Sequence, residues 1–433
     1  MKKTLSLMTI LSALALSAPA LAQDDKTWLQ PAIGEGYGVQ VKEARTTDEE
    51  LTMIKDAGLT YVRFVIPWYE VEKGRGSFVW GYFDTFVKRL REQELKAVIV
   101  LGGGHPAYTK EIKAPEGNID GAETYLLAPS TPESVAAFAR YAAKTVSHFG
   151  GDDIIWELWN EPDSDRFWAP RANVKDYTVM ADAACRAMRK AAPTARIVGP
   201  GMAEMAGRWG TMKAGFLGAV LRSPALACFD AISMHPYRDG ETPPETVLPA
   251  YKKLRAFIKA FTPKDQKPLP VLSTEWGFTT TEVSEDDQAA FLLRSFLLNS
   301  LSGVPVSIWY EWRDARAGQD DPEAHFGLLT LREKEKESYR ALLDFLPPLK
   351  GARIEARLDT GRPEEFVLRL KRPDGRYALV LWTSGVQDET QIGVGHCEEG
   401  QESKDWGLTP MPRRVDCEMT PPSITVKREK RMP

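Results

Sequence analysis

Histidine and cysteine are scarce in this chain, five and four residues among 433, and none of them falls at metal-ligand spacing. No metal or other cofactor is expected. Excess basic charge is also missing: 56 Lys and Arg stand against 60 Asp and Glu, a formal net charge of −4. That removes the electrostatic footprint of a nucleic-acid binder. Past residue 22 no apolar run is long enough to span a bilayer. No glycine-rich phosphate loop of dinucleotide-binding form follows the first expected strand, which counts against an open doubly wound sheet. What remains is ordinary hydrophobic (43%) and charged (27%) content in a chain long enough for one large domain and one small one.

The first 22 residues read as a secretory signal peptide. Lys2 and Lys3 form a basic start, Leu5 to Leu16 an apolar run too short to cross a membrane, and Ala20-Leu21-Ala22 a small-x-small cleavage site. The mature chain then begins at Gln23. No cysteine follows the cleavage point, so a lipid anchor is not expected there. This places the protein in a bacterial periplasm or outside the cell. Four cysteines in an exported chain suggest two disulfides, and proximity in sequence favours Cys185 with Cys228 and Cys397 with Cys417.

From residue 23 to 348 apolar strand-like runs alternate with amphipathic helices. The strands expected are Gly34 to Gln40, Tyr61 to Ile66, Ala97 to Leu101, Ile154 to about Asn160, Arg196 to Gly199, Ala231 to His235, Val271 to Glu275 and Val304 to Trp309. Thr47, Ser284 and the Pro132 first turn mark helix starts, and Gly58 and Gly150 mark helix ends. Eight strand-then-helix units argue for closure into a (β/α)8 barrel. After Pro347-Pro348 the pattern changes to short alternating segments with a Pro373-Asp374-Gly375 turn. Residues 349–433 are therefore expected to form a small antiparallel, β-sandwich-like accessory domain. It could bind sugar through Trp382 or Trp406, although a purely structural role suits these residues better.

In a barrel the C-terminal strand ends converge on one face. Here they would bring together Arg63 (strand two), His105 (three), Asn160 and Glu161 (four), His235 and Tyr237 (six), Glu275 and Trp276 (seven), and Trp309 with Trp312 (eight). Carboxylates, an arginine, histidines and aromatics suit sugar chemistry. Glycoside hydrolysis passes through an oxocarbenium-like state, with one carboxyl protonating the leaving oxygen and, in the retaining route, a second attacking the anomeric carbon. Glu161 is expected to have a raised pKa and to act as acid, then base. Glu275, steadied by Arg63 and a hydrogen bond from Tyr237, is expected to stay ionised as nucleophile. Their carboxyl groups should lie roughly 5 Å apart. Trp68, Trp168 and Trp209 are further stacking candidates, and Glu311 and Asp314 candidate partners for sugar hydroxyls. Glu157 has no assigned role.

Trp159-Asn160-Glu161-Pro162 and Thr274-Glu275-Trp276-Gly277 resemble the acid/base and nucleophile motifs of clan A, the large clan of retaining glycoside hydrolases on (β/α)8 barrels. The resemblance implies that Asn160 binds the sugar 2-hydroxyl and that Trp309 floors the reacting subsite. It also implies a cis Trp309–Tyr310 peptide. Within the clan, Trp156 to Pro162, and Trp309 to Asp314 leading to Phe326-Gly327-Leu328, are most similar to family 39, with family 5 second. The expectation is an endo-β-glycosidase acting on an exported polysaccharide, a bacterial exopolysaccharide, with that polymer's export machinery as a candidate partner. An exo-acting β-xylosidase-like enzyme and a non-catalytic polysaccharide-binding barrel are the alternatives.

Overall fold

A computed structural model describes residues 32–114, 123–203, 214–316, 321–385, 390–394, 397 and 404–428. The expected signal peptide and cleavage point and Trp209 lie outside the described residues.

Eight parallel strands close into a barrel in chain order: β1 (Tyr37–Gln40), β2 (Tyr61–Pro67), β3 (Lys96–Gly102), β4 (Ile154–Leu158), β5 (Arg196–Met202), β6 (Ala231–Met234), β7 (Val271–Trp276) and β8 (Ser307–Trp309), which pairs back to β1. A helix follows each: α1 (Asp48–Asp56), α2 (Tyr82–Glu92), α3 (Pro132–Phe149), α4 (Val174–Ala191), α5 (Ala214–Arg222), α6 (Val247–Phe261), α7 (Glu285–Leu301) and α8 (Glu337–Phe345). The strand–helix alternation read from the sequence is the one observed.

Local chemistry sets the boundaries. At α1 the Thr47 hydroxyl accepts from the Glu50 N–H, while the Glu50 carboxylate accepts from the Thr47 N–H. Strand β8 is shorter than expected because Pro305 has no N–H for a ladder, so pairing begins at Ser307. Gly38 lets β1 close the barrel, since a Cβ there would collide with the Tyr61 carbonyl oxygen.

The period of two along each strand decides what fills the barrel. Tyr61, Val98, Ile155, Val198, Ala231, Leu272 and Ile308, one from each of β2 to β8, belong to a separate apolar cluster that plugs the interior. Two residues further along their strands, the same face carries buried polar groups: Arg63, Glu157, Ser233 and Thr274. The interior is thus apolar at one level and ionic at the next, toward the C-terminal strand ends.

Behind the barrel, β9 (Arg353–Arg357), β10 (Glu365–Lys371), β11 (Tyr377–Thr383) and β14 (Arg413–Cys417) form an antiparallel sheet, and β12 (Gln391–Val394), β13 (Lys404–Gly407) and β15 (Ile424–Lys427) form a second. The first sheet is buried on both faces. Phe366, Leu368, Leu370, Val380 and Trp382 join the core that includes the barrel helices, while Val367, Leu379 and Leu381 pack with Ile392 and Val394 of the second sheet. Double burial explains why β10 and β11 read as nearly unbroken apolar runs. Trp382 is fully buried and stacks on Phe366 at 4.6 Å; its indole N–H donates to Glu245 Oε1 at 2.7 Å. Glu245 also pairs with Arg294 of α7. Trp382 is therefore a structural tie and offers no face to a sugar. The disulfides are Cys185–Cys228 and Cys397–Cys417, the pairing expected from sequence.

Candidate active site

Strand β4 ends at Leu158 and the chain turns sharply. Trp159 and Glu161 have φ of 73° and 46°, a region that side-chain-bearing residues rarely adopt and that clusters at functional sites. The Glu161 N–H donates to the Gly201 carbonyl at 2.8 Å, pinning the turn to β5. Gly201 is needed there: its φ is +61°, and a Cβ would crowd the Glu157 carboxylate.

The Glu275 side chain reaches the same mouth by a different device. Ser273 pairs with Ser307 but Trp276 pairs with Trp309, so β7 carries one extra residue, a bulge that re-aims the strand. Thr274 turns into the ionic layer, where its hydroxyl donates to Glu157 Oε1 at 2.6 Å. Glu275 turns into the cleft, and Trp276 packs outward in the main core.

Arg63 joins these parts. It is fully buried; Nε donates to Glu157 Oε2 at 3.0 Å, one terminal nitrogen to Glu275 Oε2 at 2.6 Å and to Gln40, and the other to Asn160 Oδ1 at 2.8 Å. Glu157, fully buried, is thus the second anion balancing Arg63. The other Glu275 oxygen, Oε1, accepts from the Tyr237 hydroxyl at 2.7 Å. His235 Nδ1 lies 2.8 Å from Glu161 Oε1. Glu161, His235 and Glu275 each present an atom within 4.8 Å of the others. That spacing could hold a cation, but Glu275 is already clamped by a guanidinium and a phenol, and a metal ion would face the Arg63 charge. The donor set suits proton and glycosyl transfer better.

The two carboxyls differ in environment. Burial raises the Glu161 pKa, and the nearby Glu275 and Asp163 charges add to the rise; His235 opposes it without cancelling it. Burial acts in the same direction on Glu275, but His235, Arg63 and the Tyr237 hydrogen bond outweigh it, and its pKa is lowered. Burial disfavours charge on His235, yet Glu275 and Glu161 prevail and its pKa rises. The mouth opens into a cleft of about 680 Å³ that holds both carboxylates. Tyr69, Trp159, Tyr310 and Phe326 line it, the last two with their rings edge to face at 5.3 Å. Lys42 and Arg166 also reach the cleft.

Residues 27–314 match the family model described as cellulase (glycosyl hydrolase family 5). The chain belongs to this family. It is a clan A glycoside hydrolase, and clan A enzymes are retaining. Similar solved structures include mainly family 39 members. One is a family 39 glycoside hydrolase from Bacteroides cellulosilyticus WH2, at 23% identity and a TM-score of 0.71, covering 89% of this chain and 82% of that one. Another is a family 39 β-xylosidase from Caulobacter crescentus, at 20% identity, TM-score 0.59, and 85% and 82% coverage. A family 30 endoxylanase from Clostridium papyrosolvens C71 matches at 12% identity, TM-score 0.57, and 92% and 98% coverage. These likenesses are of fold. No curated protein matches the chain. The family shown is thus family 5, the second of the two expected; the family 39 structures share its fold.

In this family 5 hydrolase the structure gathers Arg63, Asn160, Glu161, His235, Tyr237 and Glu275 at one mouth. Four expected substrate contacts lie elsewhere. His105 is buried: Nε2 is 2.7 Å from the Glu72 carbonyl and Nδ1 accepts from the Ala107 N–H at 3.1 Å, so both ring nitrogens serve the backbone. Trp276 and Trp309 face outward into the core, turned there by the bulge and by strand alternation respectively. Trp312 is buried, with its N–H on Glu50 Oε1 at 3.1 Å. Trp68 and Trp168 are likewise buried. The aromatic ring entering the cleft after β8 is Tyr310, and the cis peptide is Tyr310–Glu311, each one residue beyond the expected position. Glu311 is buried beside Lys42, 3.5 Å away, and desolvation pushes its carboxyl up to about 7. Asp314 pairs with Lys336 at 2.8 Å. Neither lines the cleft.

Two outcomes follow for the hydrolase. With Glu275 ionised below the usual carboxylate range and Glu161 protonated above it, kcat/KM for an aryl β-glycoside should trace a bell. Activity is lost on the acid side as Glu275 takes up a proton and on the alkaline side as Glu161 gives one up, which a pH–rate profile measures. Arg63→Met should lower stability in urea unfolding by ~3–5 kcal/mol, because Glu157 is left buried and unpaired. The acid limb of the same profile should then move to higher pH, since Glu275 loses a cation.

Proposed function

We propose that the protein is a retaining endo-β-glycosidase that cuts an exported polysaccharide, a bacterial exopolysaccharide, by double displacement. Glu161 is the acid/base and Glu275 the nucleophile. The observation that carries this reading is the pair itself: two carboxyls with an approach within 4.8 Å and opposite pKa shifts, in one cleft. Retaining enzymes hold their carboxyls about 5–5.5 Å apart, whereas inverting ones need room for a water between them. Asn160, held by Arg63, is the proposed partner of the sugar 2-hydroxyl, and Tyr310 the stacking ring.

The residue 23–348 barrel carries the chemistry in this reading, with residues 349–433 as a structural accessory. Two disulfides and the N-terminal signal fit an oxidising, periplasmic or extracellular setting, in which the polymer's export machinery is the candidate partner. Sizing the products of a polysaccharide digest tests the mode: mid-length fragments early in the reaction support endo action, and accumulation of a single monosaccharide overturns it in favour of exo action.

A further inference from the structure

We propose that Lys42 is a substrate-binding donor of the cleft and that Glu311 is the positioning residue that aims it, holding the ammonium beside the Tyr310 ring, where it donates to a hydroxyl of the stacked sugar. The inference rests on the glycan-hydrolysing reading of the cleft and adds two residues to it.

Barrel closure brings the two residues together. Lys42 stands two positions past β1, and Glu311 two positions past β8, the strand that pairs with it. The backbone of Glu311 is fixed: its N–H donates to the Phe326 carbonyl at 3.3 Å, and its carbonyl accepts from the Leu328 N–H at 3.1 Å. Its side chain is 1% exposed, while that of Lys42 is 41% exposed and reaches the cleft. A rigid buried anion facing a long flexible cation decides where the cation rests. Lys42 Nζ lies 3.5 Å from Glu311 Oε2 and 5.3 Å from the centroid of the Tyr310 ring.

The carboxylate is a poor structural element. Among the described residues neither Glu311 oxygen has a hydrogen-bond partner. Buried carboxylates are ordinarily hydrogen-bonded, and leaving one without partners costs stability. Burial pushes this carboxyl up to about 7 against the pull of Lys42 and Arg45, and the Glu275 charge adds to the rise. Ionising it in the folded chain therefore costs stability, and the cost grows as pH rises from the ordinary carboxylate range to about 7. A costly titratable group kept beside a cleft is the pattern of a functional residue rather than a packing one.

The test uses 4-nitrophenyl β-glucoside, β-xyloside and β-cellobioside with the full-chain wild type, Lys42→Met, Lys42→Arg, Glu311→Met and the double variant Lys42→Met with Glu311→Met. On the substrate that wild type turns over fastest, Lys42→Met should raise KM about tenfold, the scale of one charged hydrogen bond, with the smaller change in kcat. Lys42→Arg, which keeps a cation and its donors, should stay near wild type. Glu311→Met should raise KM as well, and the double variant should match Lys42→Met alone, because both residues act through one ammonium. Glu311→Met should also melt above wild type, by a margin wider at about pH 8 than at about pH 5. A Glu311→Met protein with the wild-type KM, a double variant in which the two effects multiply, or a Glu311→Met protein that melts below wild type overturns the positioning role. Unchanged KM in Lys42→Met removes the donor. A wild type that turns over none of the three glycosides defeats the proposed function itself, and the Lys42 assignment with it.

Discussion

Glu275→Gln should reduce turnover of an aryl β-glycoside by on the order of 10⁴- to 10⁶-fold, the scale of losing a catalytic nucleophile. The amide cannot displace the leaving group at the anomeric carbon, so no covalent intermediate forms and no burst of released phenol precedes the steady state. The fold should survive. Arg63 loses one anionic partner but keeps Glu157, Asn160 and Gln40, and the amide oxygen can still accept from Arg63 or Tyr237. Unchanged far-UV circular dichroism with lost turnover is the expected pair of readings. Residual activity within tenfold of wild type would remove Glu275 from the chemistry.

Glu161→Gln should fail in a different way. Substrates whose leaving group must be protonated should slow by roughly 10²- to 10⁴-fold, the usual scale of general-acid catalysis. A 2,4-dinitrophenyl glycoside does not need that proton. It should still form the glycosyl-enzyme quickly, then stall, because the base that activates water is gone. Stopped-flow absorbance should show a burst of one equivalent followed by a slow steady state. The alkaline limb of the pH–rate profile should vanish, since the group whose pKa burial raises is no longer there. A burst in Glu275→Gln and none in Glu161→Gln would exchange the two roles.

The architecture was legible because its signal is long-range and repetitive: eight apolar runs, each followed by a capped amphipathic helix, allow few arrangements. That Glu161 and Glu275 would meet at one mouth was legible for a narrower reason, since both sit in short motifs at the ends of the fourth and seventh runs. The errors were errors of direction. Val306 and Ile308 face the barrel interior, so counting in twos makes Tyr310 the inward residue and Trp309 the outward one. That signal is present in the sequence, because Tyr310 stands two residues past Ile308. Trp276 is another case. Its outward turn depends on an extra residue in β7 relative to β8, and a bulge is visible only once the partner strand is aligned. Glu157 drew no assignment because a carboxylate in an apolar strand has no local meaning. Its partner, Arg63, lies 94 positions away. His105 was misread because its partners are backbone groups, which carry no residue signature.

The indole of Trp382 has a consequence for how this enzyme could have been assembled in evolution. It seals an arginine–glutamate pair that belongs to the barrel, while Gly351 and Ala352 exchange backbone hydrogen bonds with Ile33 just ahead of β1. The rear sheets therefore act as the floor on which the first and sixth barrel units stand. A recombination event exchanging them for a portable sugar-binding appendage would expose apolar surface and strand an ion pair. Descent with this architecture should be inherited as a single block.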